Sequence, residues 1–154
     1  MRQLSVLASV ARTQPHAAYA AFRHAFVGRL IFLSRTCGGL QLFLPPLEKT
    51  ICTLFLPSLT GRPAPEDEVR TLLALPPRSG GLGVLNPVTA LADEHARSVY
   101  VCTPLTECIQ RQVHSLGYVC AEIQRCKAKA HGDCKKALDK TASSLLPTLS
   151  PSRQ

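Results

Sequence analysis

The chain has 154 residues, a formal net charge of +8 and an apolar fraction of 45%. This length is that of one domain, and this apolar fraction excludes a chain that is disordered by composition. With three Tyr, five Phe and no Trp, an extended platform for stacking nucleic-acid bases would be hard to assemble.

The positive charge is concentrated in the first 64 residues. That segment has seven basic residues and one acid, Glu48, whereas the other 90 residues have eleven basic and nine acidic residues. Such a one-sided excess of cations favours a phosphate backbone or another acidic surface as a partner. The alternative is a solvated face that keeps a Leu-rich domain soluble.

The apolar runs predict neither a signal peptide nor a membrane span. The N-terminal run is interrupted by Arg12, and the stretch over residues 25–33 is broken by Arg29 and is too short to cross a bilayer. We therefore expect an intracellular protein, nuclear or cytoplasmic, that is neither secreted nor membrane-spanning. Its seven cysteines are expected to be reduced and to act mostly as small hydrophobes.

Proline and apolar periodicity predict two long helices in the first part of the chain. The first begins at Pro15 and ends at "TCGG", residues 36–39. Its apolar residues recur at steps of three and four: Tyr19, Phe22, Phe26, Leu30 and Leu33. The second follows through residues 46–60 and stops at Gly61. One face of it is apolar: Leu47, Ile51, Leu54 and Phe55.

Further helices are predicted in the remainder of the chain. One begins near residue 65 and directs Val69 inward, a second begins with Asn86 as N-cap and Pro87 as first residue, and a third begins with Thr103 and Pro104. Beyond residue 126 the apolar stripe fades, and residues 145–154 predict a frayed tail. Because no stretch shows strand alternation, we predict an all-α fold: an irregular bundle of about five or six helices with Pro/Gly-rich connections.

The stretch "LPPRSGGLGVLNP" at residues 75–87 raises the possibility of a phosphate-binding loop. It lacks the third glycine of the dinucleotide fingerprint, no strand precedes it, and no Gly-Lys-Ser/Thr follows it. We interpret Gly80, Gly81 and Gly83 instead as a structural turn between two helices, because glycine permits positive φ and close backbone approach. No cofactor is expected.

Metal binding and catalysis have little support in the residue pattern. Cys126, His131 and Cys134 are weak candidates for a metal site, because structural zinc sites nearly always include a closely spaced cysteine pair. The histidines are isolated along the chain, and no acidic pair has the spacing of a two-metal centre. We therefore predict that the chain is not an enzyme and assign it no metal.

Several motifs resemble, in the same order, the segment that follows the reverse transcriptase palm in retrotransposon polyproteins. They include "LASVARTQPHAAYAAF", "PLEKTI", "FLPSLTGR", "LLALPPRSGGLGVLNP" and "KTASSLLPTL", and the resemblance spans about residues 5–149. Its most specific part, Leu-Pro-x-Arg-x-Gly-Gly-Leu-Gly, also recurs in non-LTR elements. Leu30 and Leu145 depart from the family, which usually has tryptophan at both positions.

The resemblance implies a non-catalytic, thumb- or connector-like helical segment over residues 1–126, followed by a basic helix and tail over residues 127–154. The polymerase palm, with its paired aspartates, would lie outside this chain. The segment would pack beside that palm and contact an RNA or DNA backbone. The candidate phosphate contacts are Arg12, Arg23, Arg29 and Arg35, with Arg62 and Arg78 as weaker ones. The alternatives are a helical protein-interaction module, or a retroelement remnant without independent function.

Overall fold

The computed structural model describes residues 2–112 and 116–145. Over these residues every regular element is helical, which confirms the predicted all-α class, and six helical runs have eight residues or more. The chain divides into two compact units, Met1–Ala92 and Asp93–Gln154. The predicted division after residue 126 falls inside a continuous helix. No helix in the described part of the chain is long and apolar enough to span a membrane.

The first unit contains two long helical runs, each interrupted by a π-helical turn. The elements before residue 61 are α1 Arg2–Ala11, α2 Pro15–Ala21, a π turn Phe22–Phe26, α3 Val27–Thr36, a 3-10 turn Leu40–Phe43, α4 Leu44–Thr50, a π turn Ile51–Phe55 and α5 Leu56–Thr60. After them come α6 Asp67–Ala74, a 3-10 turn Pro77–Ser79 and α7 Pro87–Ala90.

The predicted helix-boundary residues act as expected in this unit. Pro15 occupies the first turn of α2, where its missing N–H costs nothing. Gly61 ends α5 with a φ of +67°, the left-handed conformation that favours glycine. The Asn86 side chain accepts hydrogen bonds from the amides of Val88 and Thr89, and so caps α7.

The core of the first unit is centred on two stacked phenylalanines, one from each long run. The Phe22 and Phe55 ring centroids are 4.5 Å apart with an interplanar angle of 17°, and both side chains are buried. Each belongs to a π turn, in which one extra residue rotates the residues that follow. A second stack is formed within the same π turn, where the ring centroid of Phe26 lies 5.4 Å from that of Phe22.

Two of the predicted helices differ from those observed. The helix that begins at Pro87 ends at Ala90, and α8 runs separately from Glu94 to Gln110 with Pro104 inside it. Thr103 does not cap a helix. Its hydroxyl donates to the carbonyl of Val99, four residues earlier, at 2.9 Å, and this hydrogen bond is typical of a threonine within a helix. Pro104 therefore removes one helical hydrogen bond instead of beginning a new helix.

The second unit consists of α8 and the 30-residue helix α9, Leu116–Leu145. The two helices pack against each other, and Val119 and Cys126 of α9 are buried. Two apolar residues of the helix predicted to begin at Thr103 are exposed: the exposed fractions of Leu105 and Ile109 are 42% and 68%. The predicted tail beyond Leu145 lies outside the described residues.

Candidate functional site

The segment at residues 75–87 folds back along the C-terminal end of α6. Five of its amide groups donate to backbone carbonyls of residues 73–77 at distances of 2.7–3.3 Å; they belong to Ser79, Gly80, Gly81, Gly83 and Val84. A phosphate cradle needs amides that point at the ligand without another acceptor. These five amides already have acceptors, so the segment is built as a turn.

Each of the three glycines in this turn meets a specific constraint. Gly80 and Gly83 have φ values of +81° and +67°, which other residues rarely adopt. Gly81 is required for space, because a Cβ there would lie 2.0 Å from the Leu75 carbonyl oxygen and 2.5 Å from that of Leu72. Gly81 therefore permits a close contact between the turn and the end of α6, whereas Gly80 and Gly83 supply left-handed backbone conformations.

A buried ion pair joins this turn to two helices. Arg70 of α6 donates from Nε to Glu48 Oε1 at 2.6 Å and from Nη2 to Oε2 at 3.0 Å, which is a bidentate pair. The same guanidinium donates from Nη1 to the Val84 carbonyl at 2.8 Å and from Nη2 to the Leu85 carbonyl at 3.0 Å. One side chain thus connects α4, α6 and the segment after the glycines.

The thiol of Cys52 is a further partner of Glu48. Its Sγ donates to Glu48 Oε1 at 3.0 Å. Burial, followed by the hydrogen bond to Glu48 and the charge of that carboxylate, raises the pKa of the Cys52 thiol to about 11. The protonated thiol is therefore the stable form, and Cys52 is a structural donor without the thiolate character of a nucleophile.

The sequence did not predict the cluster of Arg70, Glu48 and Cys52, and the residue of α6 that it predicted to face inward was the wrong one. Val69, predicted to face inward, has an exposed fraction of 41%, whereas Arg70 has only 4%. The physical reason is the carboxylate of Glu48, which compensates the burial of a guanidinium at that face of α6. A usable signal was present: Glu48 is the only acid among the first 64 residues, seven of which are basic.

All six arginines proposed as phosphate contacts are exposed. They are Arg12, Arg23, Arg29, Arg35, Arg62 and Arg78. Three of them lie at helix ends: Arg12 follows α1, Arg35 is in the last turn of α3, and Arg62 follows the cap of α5.

The structure brings Arg23 to the glycine turn. Its Nη1 donates to the Tyr19 hydroxyl oxygen at 3.0 Å, and that hydroxyl donates to the Leu82 carbonyl. A Cβ on Gly83 would lie 3.6 Å from Arg23 Cζ and 3.5 Å from Pro77 Cδ. Pro77, which directly precedes Arg78, therefore lies beside the same glycine as Arg23.

Positive charge dominates the surface contributed by residues 2–64. All seven basic residues within residues 2–64 are exposed. The one acid of that segment is bound by Arg70, and 14% of its side chain is accessible. The surface contributed by residues 2–64, all of them described, is therefore cationic without an exposed carboxylate.

The weak metal candidates lie along α9 and are not brought together. Cys126 is buried, whereas His131 and Cys134 are exposed on the same helix. Within residues 2–112 and 116–145, no three His, Cys, Asp or Glu side chains are arranged so that they could hold a metal ion.

Comparisons of the chain with protein-family models, curated proteins and solved structures found no match. The resemblance to retrotransposon polyproteins stays a prediction.

Replacing Gly81 with alanine should destabilise the protein by about 3 kcal/mol, the upper end for overpacking, because the new Cβ would meet backbone carbonyls. Gly28→Ala is the matched control: it lies within α3 with open space around it. It should stabilise by about 0.5–1 kcal/mol, since alanine is the better helix former. Urea unfolding followed by circular dichroism measures both, and a Gly81→Ala variant as stable as the parent would contradict the geometry.

Replacing Arg70 with methionine should lower the free energy of unfolding by about 3–5 kcal/mol, because it leaves the Glu48 carboxylate without its counter-charge. Arg125→Met is the control, since it breaks an exposed pair with Glu122 and should cost much less stability than the loss of the buried pair. Combining Arg70→Met with Glu48→Leu should recover part of the loss. Equal losses for the Arg70 and Arg125 variants, by chemical denaturation, would refute a structural role for the pair.

Stability should fall at alkaline pH in a way that depends on Cys52. The pKa of its thiol is raised in the folded state from 9.0 to about 11, so its contribution is complete below pH 9 and is lost as the pH rises through about 11. Between about pH 8 and about pH 10.5, the parent should therefore lose more stability than Cys52→Ala, whose lost packing is independent of pH. Parallel pH profiles of the urea midpoint would contradict this assignment.

Proposed function

We propose that the first unit binds the phosphate backbone of a nucleic acid through its exposed arginines and catalyses no reaction. The observation that supports this most directly is the binding of Glu48 by Arg70. It neutralises the one acid of residues 2–64, 14% of whose side chain is accessible, and leaves seven exposed basic residues there, against three exposed acids later in the same unit, Glu66, Asp67 and Glu68. An unbalanced cationic surface attracts a polyanion and gains free energy when condensed counterions are released.

The arginines are suited to positioning a nucleic acid rather than to reading its sequence. Guanidinium groups bind phosphate oxygens through paired hydrogen bonds, and such contacts carry no base information. Arg23 has a defined direction, because Tyr19 accepts one of its hydrogen bonds and is itself bound to the Leu82 carbonyl. Tyr19 would act here as a positioning residue.

The resemblance to retrotransposon polyproteins suggests which nucleic acid is involved. In that context the chain would be the non-catalytic helical segment beside a reverse transcriptase palm, and its natural partner would be a template–primer duplex of RNA and DNA. The second unit would contribute through the exposed basic residues of α9: Lys127, Lys129, Lys135, Lys136 and Lys140.

A protein-interaction module is the second candidate, and an exposed apolar corner favours it. Four large side chains near the connection between α3 and α4 face solvent: Phe32, Leu33, Leu42 and Phe43, with exposed fractions of 65%, 46%, 81% and 69%. Exposed apolar residues in such number near one turn are typical of a surface that another protein covers. This corner would face the palm in a retroelement polyprotein.

A salt titration of binding to a short RNA–DNA duplex tests the first proposal. The logarithm of the affinity should fall linearly with the logarithm of the salt concentration. Arg23→Gln and Arg29→Gln should each weaken binding and reduce the slope by about 1, as expected for the loss of one phosphate contact. Arg97→Gln is the matched control, because it removes the same charge from a side chain paired with Glu94 at 3.3 Å.

Affinity that is flat in salt, or absent at low salt, would contradict nucleic-acid binding. The interaction module then becomes the stronger candidate, and sedimentation separates it from an inert remnant. Self-association or partner binding that is lost in Phe43→Ser would support the module. A parent chain that stays monomeric and binds neither duplex nor protein would favour a remnant without independent function.

A further inference from the structure

A groove of about 540 Å³ opens beside α1 in the first unit. Residues of α1 line one side, and residues of α2, the first π turn and α3 line the other. Its lining is apolar except for Arg2, Gln3 and Arg29; the apolar members are Val6, Leu7, Ala21, Ala25 and Phe26. The volume is that of ordinary small-molecule sites, which measure about 300–1,000 Å³.

The helices α1 and α2 pack against each other beside this groove. Near the short connection between α1 and α2, the two helices meet through the small buried residues Ala8, Ala11 and Ala18. Small side chains let helix backbones approach closely. The groove lies toward the other end of α1, at residues 2–7, and the small side chains of Ala21 and Ala25 line part of the facing wall.

The charges at this groove have no counter-charge within it. Arg2 and Arg29 come from different helices and are both exposed, and no carboxylate is among the lining residues. The one acid within residues 2–64 is bound by Arg70 elsewhere in the unit. A complementary ligand must therefore combine an apolar body with an anionic group.

We propose that this groove binds a carboxylate of the fatty-acid class. The hydrocarbon chain lies against the apolar walls, and the carboxylate is bound by the guanidinium groups of Arg2 and Arg29. A symmetric dimer through this groove is disfavoured, because apposing two such grooves would bring like charges together. Unlike a phosphate-backbone surface, this groove needs a ligand with an apolar body. Arg29 belongs both to the groove and to the proposed nucleic-acid surface.

Titration calorimetry with dodecanoate, below its micellar concentration, tests the proposal. One dodecanoate should bind per chain in a saturable manner. Dodecyltrimethylammonium has the same chain with the opposite headgroup charge, and acetate has the headgroup without the chain. Both should bind at least about tenfold more weakly, because each lacks one of the two complementary parts.

Two variants locate the site. Ala25→Phe fills the groove without changing any charge, and should weaken dodecanoate binding at least about tenfold while leaving duplex binding intact. Ala20→Phe, at an exposed position of α2 outside the lining, is the matched control and should bind as the parent does. Arg2→Gln, at the exposed start of α1, gives a second readout and should weaken binding about tenfold. Circular dichroism establishes that each variant keeps the parent's helix content.

Several results would overturn the proposal. They are equal affinity for the cationic amphiphile, more than one dodecanoate per chain, an Ala25→Phe variant that binds like the parent, and binding of an acidic amphipathic peptide in place of dodecanoate. Because Ala25→Phe leaves every arginine in place, loss of dodecanoate binding with retained duplex binding separates this site from the proposed nucleic-acid surface.

Discussion

The first unit depends on one buried guanidinium. Removing a carboxylate and a guanidinium from water costs several kcal/mol per ion, so a buried pair is retained only where its geometry is nearly complete. Arg70 meets that condition by binding both oxygens of Glu48 and two backbone carbonyls. This arrangement does more than stabilise: it fixes where the segment after the glycine turn lies, and it leaves the surface of residues 2–64 cationic.

The aromatic core and the apolar groove are linked through a single π turn. Phe22, at its start, is stacked on Phe55 in the core, and Phe26, at its end, is stacked on Phe22 and lines the groove. In an α-helix without the extra residue, the position of Phe26 would be rotated about the axis. The same backbone irregularity that closes the core thus shapes one wall of the candidate ligand site.

The parts of this fold that sequence predicted are those set by a few neighbouring residues. Gly61 and Asn86 mark helix boundaries because the backbone conformation and capping bonds they supply are local. Arg70 was missed because its burial depends on Glu48, 22 residues away, and no periodicity rule includes a distant counter-charge. Thr103 and Pro104 have the sequence pattern of a helix start, but they lie inside α8, which extends on both sides of them. The π turns likewise depend on the packing of two helical runs.

The glycine turn shows how a familiar pattern can serve a different chemistry. Its amides donate to carbonyls of residues 73–77, so an anion that approached the turn would not meet a ring of amide donors. It would instead meet the guanidinium of Arg23, which Tyr19 holds beside Gly83. A guanidinium has five N–H donors, and the bond to Tyr19 uses one of them while fixing its direction. Binding at this turn would therefore depend on the charge of the Arg23 side chain. Gly83 would contribute by having no side chain, which lets the guanidinium lie close to the backbone.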